Sequence, residues 1–488
     1  MRQLQQNFMM NSMSARWIRI LNSVEKEPNF TLASLSESLN VSQRTLVKDI
    51  NSIKEYFGGS IVLQAKQTGY KFEEIHHTYY IEKKTELVES EVLFAVIGQI
   101  FRGELKPFQE LAYEYSYGES TFRRFLLRAG KSLKDYGLRF SFNPVSLVGD
   151  EENIRKFFYD FYYLGEHTMH TIRPPKDIHT LVLENLYDYL GNYEVGTGVS
   201  ASEFYFFVYL MVSRIKQGKR VILPSLTRED VTNEKDFVLL YSLREVLEAE
   251  FNVKIPKAEF IWLYLVLVTQ RTMDQFEREQ LFYLRFNQWP SIKAIAGTYF
   301  SNPDFEGWNT KILIGFLASF LVSKSLTYTI HPIWNKQLSE ERDDVIINHS
   351  EAYHVNKQFL RKHQKLLGLG EAYFDDVVVE FTLFINLLLE AYYPQMSVLF
   401  LLAGDSMRIQ MLHQQAKQRI GCQHRLHFLP LKELTADRIY DEDIDLVVTN
   451  YRPYLWDYSF EKDYLLVNTI PSENDWKRVI EQLNQKVF

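Results

Sequence analysis

Within its first 150 residues the chain runs twice through one order of elements: helices, a turn, a longer helix with a four-three-four apolar stripe, a glycine stop and a hairpin. Such a stripe buries one face of a helix and leaves the opposite face free. In the first pass, residues 15–24 carry Trp17, Ile18, Ile20 and Leu21 at helical spacing. Thr31 then caps a short helix bearing Leu32, Leu35 and Leu39, and Asn40-Val41 makes the turn. Ser42 caps the next helix, whose Leu46, Ile50, Ile53 and Phe57 form the stripe. Gly58-Gly59 ends it, and residues 61–72 read as a hairpin with Thr68-Gly69 near its turn or bulge. This order of elements is a winged helix-turn-helix.

The second pass uses residues 87–101 as one helix, 107–115 as a short one and Gly118 as the turn. Residues 120–136 form the longer helix, with Phe122, Leu126, Ala129 and Leu133 in the places of Leu46, Ile50, Ile53 and Phe57. Gly137 stops it, and residues 138–148 form a second wing around Asn143-Pro144. His76-His77 reads as the linker between the passes. Gly130 costs its helix about 1 kcal/mol relative to Ala, with no sequence-level reason for it.

The net charge of −7 is divided unevenly. Residues 1–150 hold 19 Lys+Arg against 17 Asp+Glu, a net of +2, which leaves −9 for residues 151–488. Nucleic-acid contact therefore has to come from local patches. The free face of the first stripe-bearing helix offers Gln43, Arg44, Val47, Lys48 and Asn51. Arg and Gln suit bidentate contacts to guanine and adenine, and Val suits a thymine methyl. Ser42 and Thr45 are short enough to bond phosphates, and Lys66 lies in the wing. In the second unit, residues 120–139 hold Arg123, Arg124, Arg128, Lys131, Lys134 and Arg139 against one acid, Asp135. With Ser120 and Thr121, the set Arg123, Arg124, Arg128 and Lys131 is expected to supply phosphate contacts and salt-dependent affinity as well as some base readout, with the better base-reading set in the first unit.

Other chemistries find little support. The single cysteine, Cys422, excludes an intrachain disulfide framework and any CxxC site. Cys422, His424 and His427, with His413 nearby, do not have a standard zinc spacing, so no metal is expected. No P-loop, GxGxxG, GxSxG or HExxH pattern occurs, and neither a cofactor nor an enzymatic activity is expected. The apolar runs 204–212 and 260–268 are about half of what a bilayer span needs. The opening residues lack the apolar stretch of a signal peptide. The expectation is a cytoplasmic protein with no membrane contact.

Beyond residue 150, FYFFVYLMVSRIKQG (204–218) and FNVKIPKAEFIWLYLVL (251–267) are apolar nearly all round, as are residues 311–326 and 373–389. Such helices belong inside a bundle. The tail alternates, with strands at 397–402, 424–428, 445–448 and 464–467 and helices at 407–419 and 473–483. Asp405 reads as the cap of the first of these helices.

With these segments placed, the chain resembles the Mga/AtxA family of Gram-positive global and virulence regulators along essentially its whole length. The resemblance implies a mainly α, multidomain fold. Its parts are winged helix-turn-helix domains at 1–75 and 76–165, helical domains similar to phosphotransferase-system regulation domains at 166–285 and 286–394, and a C-terminal α/β domain similar to a sugar-permease IIB component at 395–488. It implies a transcription regulator whose partners are double-stranded promoter DNA and further copies of itself, as a homodimer or higher homo-oligomer. RNA polymerase and phosphotransferase-system proteins are further partners it brings into view. The family is controlled by histidine phosphorylation in the regulation-domain helices. Here Phe207 and Val266 stand at the matching places, and residues 311–326 and 373–389 contain no histidine. Ala403 stands where the IIB family has its phosphorylated cysteine. His167, His170, His179, His331, His349, His354 and His363 read as ordinary surface or core histidines. The alternatives are a phosphotransferase-type signalling protein, against which the missing cysteine speaks, and a regulation-domain antiterminator, against which the winged helices speak.

Overall fold

The computed structural model describes residues 1–66, 69–190, 193–224, 231–421, 424–428, 443–453 and 463–484. The chain forms two compact units, Met1–Lys293 with Gly315–Leu383, and Ala294–Ile314 with Phe384–Phe488.

The first unit opens with a helical turn, α1 (Gln3–Gln6), and then the first module: α2 (Ser12–Lys26), α3 (Leu32–Leu39) and α4 (Gln43–Phe57). Local chemistry sets each boundary. The Asn11 side chain accepts the Met13 and Ser14 N–H groups at the start of α2. Thr31 and Ser34 form a reciprocal capping box on α3, and Asn40 ends that helix in the left-handed region at φ 50°. Ser42 caps α4 by accepting the Thr45 N–H. The wing is β2 (Ile61–Lys66) and β3 (Gly69–Glu74), antiparallel with Leu63 opposite Phe72. A short third strand not expected from the sequence, β1 (Asn29–Phe30), pairs with β3. Thr68 lies outside the described residues.

Two expectations need correction between the modules. His77 begins a helix, α5 (His77–Glu89), where a linker was expected. Tyr80, Lys84, Leu87 and Val88 bury one of its faces, and the Tyr80 hydroxyl and Lys84 ammonium both donate to Glu25 of α2. The expected helix at 87–101 is consequently two helices, α5 and α6 (Val92–Arg102), separated at Ser90-Glu91. The buried Glu91 carboxylate accepts the Met10 and Asn11 N–H groups, an interaction that fixes the break.

The second module follows as α7 (Phe108–Glu114), α8 (Glu119–Lys134), β4 (Arg139–Phe142) and β5 (Val145–Val148), with Phe140 opposite Leu147. A Cβ on Gly130 would stand 3.6 Å from the Phe140 ring, an ordinary contact, so packing gives no reason for this glycine either. Both modules share one hydrophobic core. Leu46, Ile50 and Phe57 of the first and Phe122, Leu126 and Leu133 of the second join Phe94, Phe157, Phe161 and Leu210 in it. Phe8 reaches into the same core, with its ring 5.7 Å from Phe157 and 5.3 Å from Phe161.

The next helix, α9 (Glu151–Phe158), connects the modules to the helical region, and it does so through buried charge. Arg155 is fully buried and donates to Glu259 Oε2 at 2.7 Å and to Glu151 Oε1 at 3.0 Å. Arg214 forks onto Glu151 at 2.9 and 2.8 Å. Glu152 Oε2 accepts both the Trp262 and the Trp334 indole N–H at 2.7 Å. The helices Ala201–Lys216 and Lys257–Val268 are buried as their sequences require. At the two places the family resemblance singled out, Phe207 stacks on Tyr159 with ring centroids 4.9 Å apart, and Val266 is buried.

Among the described residues one helix, Thr310–Ile330, is long and apolar enough to cross a membrane by length and composition, a longer run than the expected 311–326. It is mostly buried within the protein, where the Ser319 hydroxyl donates to Glu279 and the Ser323 hydroxyl donates to the Thr269 carbonyl.

In the second unit, β6 (Ser397–Leu401), β7 (Arg425–Phe428), β8 (Leu446–Thr449) and β9 (Tyr464–Leu466) form a parallel sheet in the order β7-β6-β8-β9. Val398 and Phe400 pack with Leu412, Ala416, Trp476 and Val479 from the helices Ser406–Ile420 and Glu473–Asn484. Asp405 caps the first helix by accepting the Arg408 N–H. The loop at Ala403 is held from the end of β8. Asn450 accepts the Ala403 N–H at 2.7 Å and donates to its carbonyl at 2.9 Å. Cys422 lies outside the described residues. His424 Nδ1 is committed to the Met396 N–H, and His413 packs against Phe428.

Burial pushes the Glu152 carboxyl up to about 7, with Arg155 and the two indole donors opposing. A folded-state value raised above the unfolded one costs stability as pH rises, because the unfolded chain releases this proton first. Glu152→Gln is therefore expected to gain on the wild type between about pH 4.5 and 7, by an amount on the order of 3 kcal/mol, and to hold that margin above pH 7. Denaturant midpoints measured from pH 4.5 to 8.5 check this, and a margin that does not change with pH would contradict it.

Candidate nucleic-acid interface

The two stripe-bearing helices, α4 and α8, present matching outer faces. Leu46, Ile50, Ile53 and Phe57 are buried on α4, and Phe122, Leu126, Ala129 and Leu133 on α8. Residues at i, i+3, i+4 and i+7 on the opposite face of such a helix lie in one row, and major-groove helices read base edges with a row of this spacing. On α4 the row is Arg44, Val47, Lys48 and Asn51, all exposed. Its position is fixed from below by Asp49, which is buried. Asp49 accepts the Arg16 guanidinium through both oxygens and the Trp17 indole N–H at 3.2 Å. Sequence reasoning missed this pair. An aspartate in a basic helix next to the stripe was the available signal, but its partner, Arg16, lies on another helix.

Among the described residues, Gln43, Arg44, Lys48 and Asn51 make no side-chain hydrogen bond or ion pair, so they are free to meet a ligand. Ser42 and Thr45 are less free. The Ser42 hydroxyl lies 2.8 Å from the Thr45 hydroxyl and accepts the Thr45 N–H, so its capping role comes first. Lys66 is exposed at the end of β2, beside the wing tip.

On α8 the cap is Gly118, which has no side chain to satisfy the first-turn N–H groups. Of these, the Thr121 N–H donates back to the Gly118 carbonyl at 3.0 Å, and the acidic Glu119 stands in the same turn. Ser120 is exposed and Thr121 half-buried beside them. Arg123 and Arg124 are exposed, with Arg123 lying 5.0 Å over the Phe142 ring of the wing. Lys131, Lys134 and Arg139 are also exposed, and no carboxylate pairs with any of these five cations among the described residues. Like charges gathered without counter-ions raise the local potential toward an anion.

Arg128 behaves differently from the set with which it was grouped. Its guanidinium donates to the Met9 and Met10 carbonyls, and the Met10 N–H donates to Glu91. The side chain thus ties α8 to the segment that leads into α2, which joins the two modules. A contact across 119 residues leaves no trace in local sequence pattern.

Residues 16–71 match the family described as an HTH domain, and residues 71–162 match the Mga helix-turn-helix domain. The chain is 26% identical over 263 residues to the capsule synthesis positive regulator AcpB of Bacillus anthracis, which covers 52% of this chain and 54% of that protein. It is 24% identical over 270 residues to the capsule synthesis positive regulator AcpA of the same organism, covering 54% and 55%. The chain spans about half the length of the curated relatives it matches.

Two arginines on one helix should therefore separate experimentally. Arg124→Ala is expected to lower the slope of log affinity against log salt by about 1, with an unchanged melting temperature. Arg128→Ala is expected to cost about 1–2 kcal/mol of stability with little change in slope. DNA-binding isotherms at several salt concentrations, paired with thermal melts, test both. An equal slope loss in the two variants, with neither destabilised, would place Arg128 back among the phosphate contacts.

Proposed function

We propose that this chain, whose residues 71–162 match the Mga helix-turn-helix domain, is a transcription regulator that binds promoter DNA through both modules at once. The observation that carries the reading is the pair of outer faces on α4 and α8, basic and unpaired, on units that repeat the same helix-turn-helix. Ser42, Gln43, Arg44, Thr45, Val47, Lys48, Asn51 and Lys66 are the proposed contacts of the first module. Ser120, Thr121, Arg123, Arg124 and Lys131 are those of the second, where Arg128 contributes first by positioning. The two relatives named as capsule regulators support a regulatory role of the same kind.

The rest of the chain supplies the regulatory body in this reading. Residues 166–285 and 286–394 act as helical domains similar to phosphotransferase regulation domains, and 395–488 as a domain similar to a IIB component. Phe207, Val266 and Ala403 leave the expected phosphate-accepting places without a nucleophile, so signalling runs through contacts made by these domains. The protein works in the cytoplasm as a homodimer, because a symmetric pair engages two half-sites and adds to weak single-site affinity. The parallel sheet of the second unit fits a IIB-type fold, and the net charge of −9 beyond residue 150 fits a body held away from DNA.

Fluorescence anisotropy with duplexes selected from a random-sequence pool tests the proposal. The full chain should bind at low salt, weaken steeply as salt rises, and lose at least tenfold in affinity when Arg123, Arg124 and Lys131 are all replaced by Ala. Failure of the wild-type chain to bind any duplex at low salt would overturn it.

A further inference from the structure

The row on α8 that matches Arg44, Val47, Lys48 and Asn51 of α4 is Ser120, Arg123, Arg124 and Leu127. Its last member is the anomaly. Leu127 is 56% exposed, on a helix whose own apolar stripe, Phe122, Leu126, Ala129 and Leu133, is fully buried. It takes no part in the shared core. A lone exposed leucine is unremarkable on most surfaces. This one stands in the middle of the most basic stretch of the chain, with Arg123, Arg124, Arg128 and Lys131 around it.

Two of those neighbours are restrained. Arg128 is held by the Met9 and Met10 carbonyls, and Arg123 lies against the Phe142 ring. The face is therefore an apolar centre with Arg123 and Arg128 tethered on its flanks, Arg124 lying 6.0 Å over the Phe125 ring, and Lys131 beside it with no partner among the described residues. Phosphates attract the cations. No phosphate has a use for Leu127, which in a groove would meet the one apolar group that the major-groove edge of a base pair offers, the thymine C5-methyl.

We propose that Leu127 reads a thymine methyl, and that the second module thereby selects sequence as well as anchoring the backbone. This rests on the DNA-binding reading above. The two rows then share a plan with the apolar reader at different levels, Val47 near the start of α4 and Leu127 a turn further along α8. Each module would favour a thymine at its own place in the site.

Replacing thymine by uracil removes the methyl and leaves base pairing intact, which allows a direct test. The probe is a duplex selected by the full-length chain from a random-sequence pool and footprinted with it. Uracil is placed for thymine, one position at a time, in the segment that Arg124→Ala deprotects. One substitution should weaken the wild-type chain roughly three- to fivefold, the effect of losing one buried methyl. The same substitution should leave Leu127→Ala unaffected, and the variant should keep the wild-type salt slope and melting temperature. An equal uracil penalty in both proteins, or no penalty anywhere in that segment, would overturn the assignment to Leu127 while leaving DNA binding intact. So would a Leu127→Ala variant whose oligomeric state changes while its uracil penalty persists, since Leu127 would then pack against a second copy. Absence of DNA binding by the wild-type chain at low salt would overturn the parent reading and this one together.

Discussion

The buried charge cluster on α9 is the interaction on which the arrangement of the first unit depends. Arg155 has no exposed surface, and its charge is tolerable only because Glu259 and Glu151 are within hydrogen-bond distance. Those partners come from different places: Glu151 from its own helix, Glu259 from the helix Lys257–Val268. Glu152, one residue away, collects an indole N–H from Trp262 and another from Trp334. Any rearrangement of α9 against the helical region must break several of these bonds together. An arrangement that cannot slip by small steps is suited to holding two modules in one relation.

The modules are joined by a second set of contacts of the same character. Glu91 and Arg128 hold opposite sides of the Met9–Asn11 backbone, Glu91 taking N–H groups and Arg128 giving to carbonyls. The hydrophobic core is continuous beneath them. In the proposed function, α4 and α8 therefore reach DNA as one body. Its affinity would come from both faces together and its specificity from the distance between them.

Much of this was legible in the sequence because it is local. The stripes of α4 and α8, the caps at Thr31, Ser42 and Asp405, and the strand-helix alternation of the tail all follow from residue spacing. What escaped notice is non-local or against pattern. The helix α5 has a weak apolar face and begins at a histidine pair, so it passed for a linker until Glu25 supplied partners for Tyr80 and Lys84. The roles of Asp49, Glu91 and Arg128 depend on partners on other segments. Leu127 carries neither charge nor hydrogen-bonding group, so its place in the outer row of α8 shows only against the burial of the stripe.

The central claim is that two modules on one core read DNA with a fixed separation. Inserting base pairs one at a time between the two segments that the full-length chain protects, and measuring affinity for each duplex, tests it most directly. The account predicts a loss of at least tenfold from a single inserted pair, because each pair turns the second segment about the helix axis as well as moving it away. Affinity that stays within about twofold across insertions of one to five pairs would mean that the modules bind independently, and would contradict the account.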